Sequence, residues 1–291
     1  MPSSYTNAYR GRFAPSPTGR LHAGSLACAM ASFLDARAHN GIWIVRIEDI
    51  DQERCRKELA KDILQTLSKF GLVSDEPVVW QSERSELYEA AFQRLQTQGD
   101  IYGCACSRSE IVRQVQRLNL PKTVYPGTCR DGTRGKPVRS WRFRVNPGIV
   151  SFKDRLQDVF TQDCAREVGD FIIRRADGQW AYQLAVVVDD AAQSITDVVR
   201  GEDLLDNTPR QLLLQQALGL PTMRYMHIPL VKDQFGEKLS KQTKAIPVST
   251  ESPIATLEEL LGHFKLPKTG AGTLDEFWRL ASEFWQETMP S

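Results

Sequence analysis

The chain has 291 residues, 41% apolar and 25% charged, a balance that excludes a disordered or fibrous protein and allows one large domain or two modest ones. Lys and Arg total 37 against 36 acidic residues, so overall charge points to no nucleic-acid partner. No run approaches the roughly 18 consecutive apolar residues of a membrane span, and residues 1–10 lack the apolar stretch of a secretory signal, so a cytoplasmic protein is expected.

In chain order, a loop over residues 13–24 leads to a helix expected from about Ser25, where Leu26, Met30, Phe33 and Leu34 recur at helical spacing before Asn40-Gly41. Residues 42–47, IWIVRI, read as a buried parallel strand. Helical patterns follow over 51–70 and 83–98, and this alternation predicts an α/β fold with a parallel sheet. Residues 104–147 are rich in Gly, Pro, Cys and Arg, which favours short strands over helices. The run 182–190, YQLAVVVDD, reads as another buried strand. Thr208 is then expected as an N-cap with Pro209 at the first helical position and Gly219 past the end. Two short helices, near 254–264 and 274–285, close the chain. The expected organisation is a catalytic domain from 1–100 and 183–245, an inserted subdomain over 101–182, and a C-terminal helical segment over 246–291.

Residues 12–26, RFAPSPTGRLHAGSL, carry the first chemical signal. Gly19 and Gly24 let backbone approach a ligand, and the helix start offers N–H groups and a positive dipole end to phosphate. His22 sits at that entry. Residues 235–242, FGEKLSKQ, place Lys238, Ser240 and Lys241 in a loop suited to phosphate charge; taken alone, a solvated Lys-rich turn is the better reading. Between 130 and 144 six basic residues are interleaved with Trp141 and Phe143, either a phosphate-binding patch or a solvated strand with its aromatics inward. Cys104, Cys106 and Cys129 cluster, with Tyr125 between them. Three thiolates suit a structural zinc that normally takes four ligands, and three reduced, unligated thiols are the competing reading.

Together, in this order, the two loops resemble the signature pair of class I aminoacyl-tRNA synthetases: His22-Ala23-Gly24-Ser25 and Lys238-Leu239-Ser240-Lys241-Gln242. FAPSPTGRLHAGSL, with VVVDDAAQSITDVVRGEDLLDNTPRQ at 186–211, resembles the glutamyl-tRNA synthetase group, and the likeness spans about residues 10–245. It implies a class I synthetase Rossmann-type sheet with an inserted zinc-containing subdomain. It also implies ATP-dependent activation of L-glutamate, with Mg²⁺ accompanying ATP. His22 and Lys241 are the implied catalytic residues, and His22, Gly24, Ser25, Lys238, Ser240 and Lys241 the implied ATP contacts. Arg12, Ser16, Glu48, Tyr182 and Arg200 are the implied glutamate contacts, with Glu48 on the α-ammonium. The resemblance also implies zinc on Cys104, Cys106, Cys129 and Tyr125. Outside it, Glu48 reads as a helix cap and Arg200 as a surface ion-pair partner.

The short region after Lys244 resembles the truncated glutamyl-queuosine tRNA(Asp) synthetases, which implies glutamate activation without tRNA and transfer to the queuosine base of tRNA(Asp). Gln242 fits, since ordinary glutamyl enzymes more often carry Arg there. Ser25 departs from the class pattern at its second histidine and still offers a hydrogen bond. A glutamyl-tRNA synthetase module needing tRNA(Glu) and an idle tRNA- or nucleotide-binding paralogue are the alternatives. Retention of His22, Lys241, Arg12, Glu48, Tyr182 and Arg200 together argues against idleness. No obligate protein partner is signalled, and a monomer is expected.

Overall fold

A computed structural model describes residues 8–231 and 246–290. β1 (Arg10–Phe13) and β2 (Ile42–Ile47) run parallel, in register from Arg10 opposite Ile42 to Phe13 opposite Val45, and α1 (Ala23–Ala38) joins them. α1 starts two residues before the expected Ser25 and is buried along nearly its whole length. A helix covered on all sides must be apolar on all sides, which is why Ala, Leu, Met and Phe fill it. Asn40 has φ +52, and a side chain on Gly41 would sit 2.5 Å from the Tyr9 carbonyl, so this turn requires glycine.

α2 (Lys57–Lys69) leads to β3 (Val79–Trp80), which pairs parallel with β2. The helix expected from residue 51 begins six residues later. Asp51 instead accepts from Arg54 N and Nε at 3.3 and 2.8 Å, holding a turn that competes with helix. α3 (Ser85–Gln98) ends on Gly99 at φ +78. β4 (Ile101–Cys104) is followed by α4 (Arg108–Arg117), a helix that the Gly- and Pro-rich texture concealed. Its start was readable in Ser107 and Glu110, which form a reciprocal capping box.

β4, β5 (Ser140–Phe143) and β8 (Ile172–Arg174) form an antiparallel sheet. Between β5 and β8, β6 (Ile149–Asp154) and β7 (Asp158–Asp163) make a hairpin that precedes the single turn α5 (Cys164–Glu167). α6 (Tyr182–Ala192) occupies the run read as a strand. Leu184 to Val188 are all buried, so no polar stripe reveals the helical period, and packing overrides the strand preference of three consecutive valines. β9 (Asp197–Gly201) pairs parallel with β10 (Arg224–Ile228), and β10 with β6. α7 (Thr208–Ala217) lies between β9 and β10 in the chain. Thr208 is its first residue, not its N-cap; that place belongs to Asn207, and the Thr208 hydroxyl serves Arg200 instead.

Thr196 N donates to the Arg10 carbonyl at 3.0 Å and Thr196 Oγ1 accepts from Arg10 N at 2.8 Å, which sets β9 beside β1. α8 (Pro253–His263) and α9 (Leu274–Thr288) pack over α1, where the Phe33 and Trp278 rings meet edge to face at 4.8 Å. The buried Asp35 carboxylate on α1 takes hydrogen bonds from Tyr9 Oη, from Arg155 Nη1 and Nη2 at 2.6 and 2.9 Å, and from Trp285 Nε1 at 3.0 Å. No described helix is long and apolar enough to cross a membrane. Asp35→Ala is expected to cost about 3–5 kcal/mol of unfolding free energy, because it strands the Arg155 charge and frees α9. A urea titration showing a loss below about 1 kcal/mol would contradict this anchoring role.

Candidate active site

Eight residues singled out in the sequence line one open cavity of about 1020 Å³: Arg12, Ser16, His22, Gly24, Ser25, Glu48, Tyr182 and Arg200. β1 supplies Arg12, the loop and first turn of α1 supply the next four, and Glu48 follows β2. Tyr182 opens α6, and Arg200 lies in β9. His22 is the N-cap of α1. Its Nδ1 accepts from Ser25 N at 3.2 Å, which leaves the ring proton of the neutral imidazole on Nε2, 3.0 Å from Ser25 Oγ. The described chain returns here after residue 245: Val248 N donates to the Leu21 carbonyl at 3.0 Å. Lys238, Ser240 and Lys241 lie outside the described residues.

Two of the lining residues, Arg12 and Glu48, are held by a buried charge network behind the cavity. Arg46, in β2, is fully buried and donates from Nη1 to Asp190 at 2.8 Å and from Nη2 to Glu48 at 3.2 Å. Asp190 also accepts from Arg12 Nε at 3.2 Å. Its neighbour Asp189 accepts from Gln81 Nε2, Arg84 Nε and Tyr88 Oη at 2.7, 2.6 and 2.8 Å. Burial pushes the Glu48 carboxyl above its ordinary value, against the pull of Arg46 and Arg12. Burial also raises the Tyr182 phenol, which therefore stays protonated.

Arg200 is held differently. It donates to His227 Nε2 at 3.0 Å, Thr208 Oγ1 at 2.8 Å, Tyr182 Oη at 3.4 Å and the Leu204 carbonyl at 3.4 Å. All four acceptors are uncharged, and among the described residues no carboxylate pairs with it directly. A buried guanidinium bonded directly only to neutral groups keeps more of its charge available to an incoming anion than one paired with a carboxylate.

Apart from this cavity, the Sγ atoms of Cys104, Cys106 and Cys129 lie within 4.8 Å of one another. Tyr125 Oη is 3.3 and 3.6 Å from Cys104 and Cys106 Sγ, and the Cys106 and Cys129 sulfurs are 3.5 Å apart. Sulfurs around a tetrahedral zinc, with Zn–S of about 2.3 Å, stand about 3.8 Å from each other, so the group has the size of such a site. Arg142 stacks on the Tyr125 ring at 3.7 Å. Burial lifts the Cys106 thiol to about 11 and holds the Tyr125 phenol far above its usual value. At Cys104 burial also pushes upward, but hydrogen bonds with Tyr125 and Arg142 leave the thiol lowered. The basic run takes its inward reading: Phe143 stacks on Phe171, Trp141 meets Phe92 edge-on, and Arg130 and Arg142 bond within the fold.

Residues 8–253 match the catalytic domain of class I tRNA synthetases for E and Q. The chain belongs to this family. It is a ligase of the class I aminoacyl-tRNA synthetase type. Among its relatives, the glutamyl-Q tRNA(Asp) synthetase of Burkholderia cenocepacia strain HI2424 is 53% identical over 285 residues, covering 95% of this chain and 96% of that one. Its counterpart in Burkholderia mallei is 55% identical over 284 residues, with the same coverage. The glutamate-tRNA synthetase of Elizabethkingia anophelis superposes with TM-score 0.72 at 26% identity over 81% of this chain, which spans 53% of that longer protein. A glutamate tRNA ligase from Elizabethkingia meningosepticum, solved with its amino acid, shares the fold at TM-score 0.78 over 94% of this chain and 64% of its own, at 24% identity.

In this class I synthetase, sequence reading missed the network behind the cavity: Arg46, Asp189, Asp190, His227 and Asp154. A signal existed for the first three, because an arginine inside IWIVRI and paired aspartates inside an apolar run must be paired if buried. His227 carried none. Asp190→Asn is expected to cost about 3–5 kcal/mol at neutral pH by leaving two buried guanidiniums short of charge. Burial raises the Asp190 carboxyl, but Arg12 and Arg46 outweigh it and hold the group below its ordinary range. A depressed folded value gives stability present above the unfolded pKa of about 3.9 and lost as pH falls through the folded value. Denaturation at neutral and acid pH should therefore show wild type losing more than the variant; equal losses would contradict this account.

Proposed function

We propose that this enzyme activates L-glutamate with ATP, without requiring tRNA, and transfers the glutamyl group to the queuosine base at the wobble position of tRNA(Asp). The observation that carries glutamate is Arg200, a buried cation bonded to neutral groups beside the protonated Tyr182 hydroxyl, with the Glu48 carboxylate lining the same cavity. One substrate carboxylate bonds Arg200 and Tyr182, the ammonium bonds Glu48, and Arg12 and Ser16 receive the second carboxylate. An arriving ammonium keeps Glu48 ionised against the upward pull of burial.

Activation forms a bond from a carboxylate oxygen to the α-phosphorus of ATP and breaks the bond to pyrophosphate. No protein nucleophile is needed; the chain positions reactants and stabilises phosphate charge. On this reading the start of α1 meets that charge with its positive dipole end and the Gly24 N–H. Ser25 N is taken by His22 Nδ1, and the His22 Nε2 proton, now beside Ser25 Oγ, turns to a phosphate oxygen when ATP binds. Mg²⁺ enters with ATP. The tRNA(Asp) assignment is supported by the relatives, which bear that name at 53% and 55% identity over 95% of the chain.

Glutamate-dependent ATP–pyrophosphate exchange, with all tRNA removed, is expected to proceed with glutamate and weakly with glutamine or aspartate. Arg200→Ala is expected to raise the glutamate KM about 10- to 100-fold, the worth of a charge-assisted hydrogen bond. Exchange that appears only with tRNA(Glu) would replace this reading with a tRNA-dependent glutamyl-tRNA synthetase module. Silence under both conditions would leave an idle paralogue.

The cysteine group belongs to the same reading as a structural zinc site with Tyr125 as fourth ligand. Three thiolates and a phenolate would exceed the charge of zinc by two, and Arg142 on the Tyr125 ring offsets one of them. Zinc would supply cross-linking of β4 to the loop carrying Tyr125 and Cys129, and no chemistry in the cavity, which none of the four residues lines. Elemental analysis is expected to give one zinc per chain, lost in Cys106→Ser with a lower Tm. Tyr125→Phe is expected to retain zinc and release it faster to a chelator. Zinc absent from the wild-type protein would leave three reduced thiols.

A further inference from the structure

Three adjacent strands place Asp154, His227 and Arg200 side by side. β6 pairs with β10 through Asp154 and Tyr225, and β10 pairs with β9 with His227 opposite Arg200. All three side chains are buried. His227 Nδ1 lies 2.6 Å from Asp154 Oδ2, and Arg200 Nε lies 3.0 Å from His227 Nε2.

The proton positions follow from donor rules. An arginine nitrogen only donates, so His227 Nε2 accepts and carries no proton. The ring proton of a neutral imidazole then sits on Nδ1 and is donated to Asp154. Asp154 is fixed in turn: its Oδ1 accepts from the backbone N–H groups of Leu156, Gln157 and His227 at 3.0, 2.9 and 3.2 Å. Burial, reinforced by the charge of Arg200, lowers the His227 pKa and keeps the ring neutral, although Asp154 pulls the other way.

The result is an ion pair divided by an imidazole. Asp154 compensates Arg200 from behind, through His227, and takes up none of its hydrogen-bonding edges. His227 occupies Nε, while Thr208 and Leu204 occupy Nη2. Nη1 remains directed at Tyr182 and the cavity.

We infer that His227, oriented by Asp154, is a positioning residue that aims Arg200 at a substrate carboxylate by accepting from its Nε. The inference rests on the glutamate reading for the identity of that carboxylate. It assigns His227 and Asp154 no contact with substrate and no proton transfer.

Asp154→Asn separates this role from a structural one. Three backbone N–H groups hold the amide oxygen where Oδ1 lies, so the amide NH₂ faces His227 Nδ1. The ring proton must then move to Nε2, where it meets the Arg200 Nε–H head-on. The expected result is a glutamate KM raised about 10- to 100-fold in tRNA-free exchange, with the ATP KM and kcat within about threefold of wild type. His227→Gln, whose amide oxygen can reach Arg200, is expected to retain more glutamate affinity than His227→Leu.

A ¹⁵N spectrum of the histidine rings is expected to show the His227 proton on Nδ1 in wild type and on Nε2 in Asp154→Asn. That readout needs no activity. A wild type silent in exchange both without tRNA and with tRNA(Glu) sinks the glutamate reading and leaves this test standing. A wild-type proton on Nε2, an unchanged glutamate KM in Asp154→Asn, or equal losses in kcat and both KM values would overturn the positioning role.

Discussion

The charge of Arg46 is the constraint around which the cavity is organised. It is fully buried in β2, and a lone guanidinium there would not be tolerated, so the fold must deliver carboxylates to it. Glu48 comes from the same strand's end, and Asp189 and Asp190 come from α6, far away in the chain. The demand of one buried cation therefore joins the first βαβ unit to the second half of the protein. Arg12 completes the balance from β1 by sharing Asp190. Glu48 and Arg12 thus reach the cavity already oriented by a network that is costly to disturb. A site that must distinguish one small zwitterion from another needs such preorganisation.

A second buried carboxylate, Asp35, does comparable work on the opposite side of α1. Its bonds to Tyr9, Arg155 and Trp285 draw the entry to β1, the β6–β7 turn and α9 onto a helix whose buried surface is otherwise mostly apolar. The N-terminus of the same helix carries His22 into the cavity. Anchoring the middle of α1 therefore fixes where its first-turn N–H groups point, which links packing around Asp35 to the geometry of the cavity.

How much of this was legible depended on whether the signal was local. The loop before α1, the glycine turn at Asn40-Gly41 and β2 were all readable, because each is dictated by spacing or by a backbone need. The eight cavity residues were readable as types within motifs, although nothing in their spacing showed that β9 and β1 would lie together; Thr196 bonding to Arg10 does that. α6 was misread because complete burial erases periodicity. Thr208 was misread because its hydroxyl has a better partner in Arg200 than in its own helix. α4 is hidden by a Gly- and Pro-rich composition around it, although Ser107 and Glu110 spell its start. His227 gave no sign, because a single histidine in RYMHI acquires meaning only when strand order places Asp154 on one side and Arg200 on the other.

On the proposed glutamate reading, two of the arginines lining the cavity, Arg12 and Arg200, would treat the two anionic ends differently. Arg12 is paired directly with Asp190, and Asp190 is shared with Arg46, so an incoming anion there must compete with a charge already present. Arg200 has its carboxylate one imidazole away, and its field in the cavity is reduced less. On that reading the stronger anion contact would be Arg200 with the Tyr182 hydroxyl. A ligand presenting a neutral amide at that position would bury the cation without compensating it. The penalty of leaving a charged, dry donor poorly matched exceeds what a size difference of one atom could impose. If Arg200 reads the side-chain carboxylate, discrimination against a neutral side chain would come from the cost of the poorly matched guanidinium, and the neutral imidazole behind it would keep that cost high.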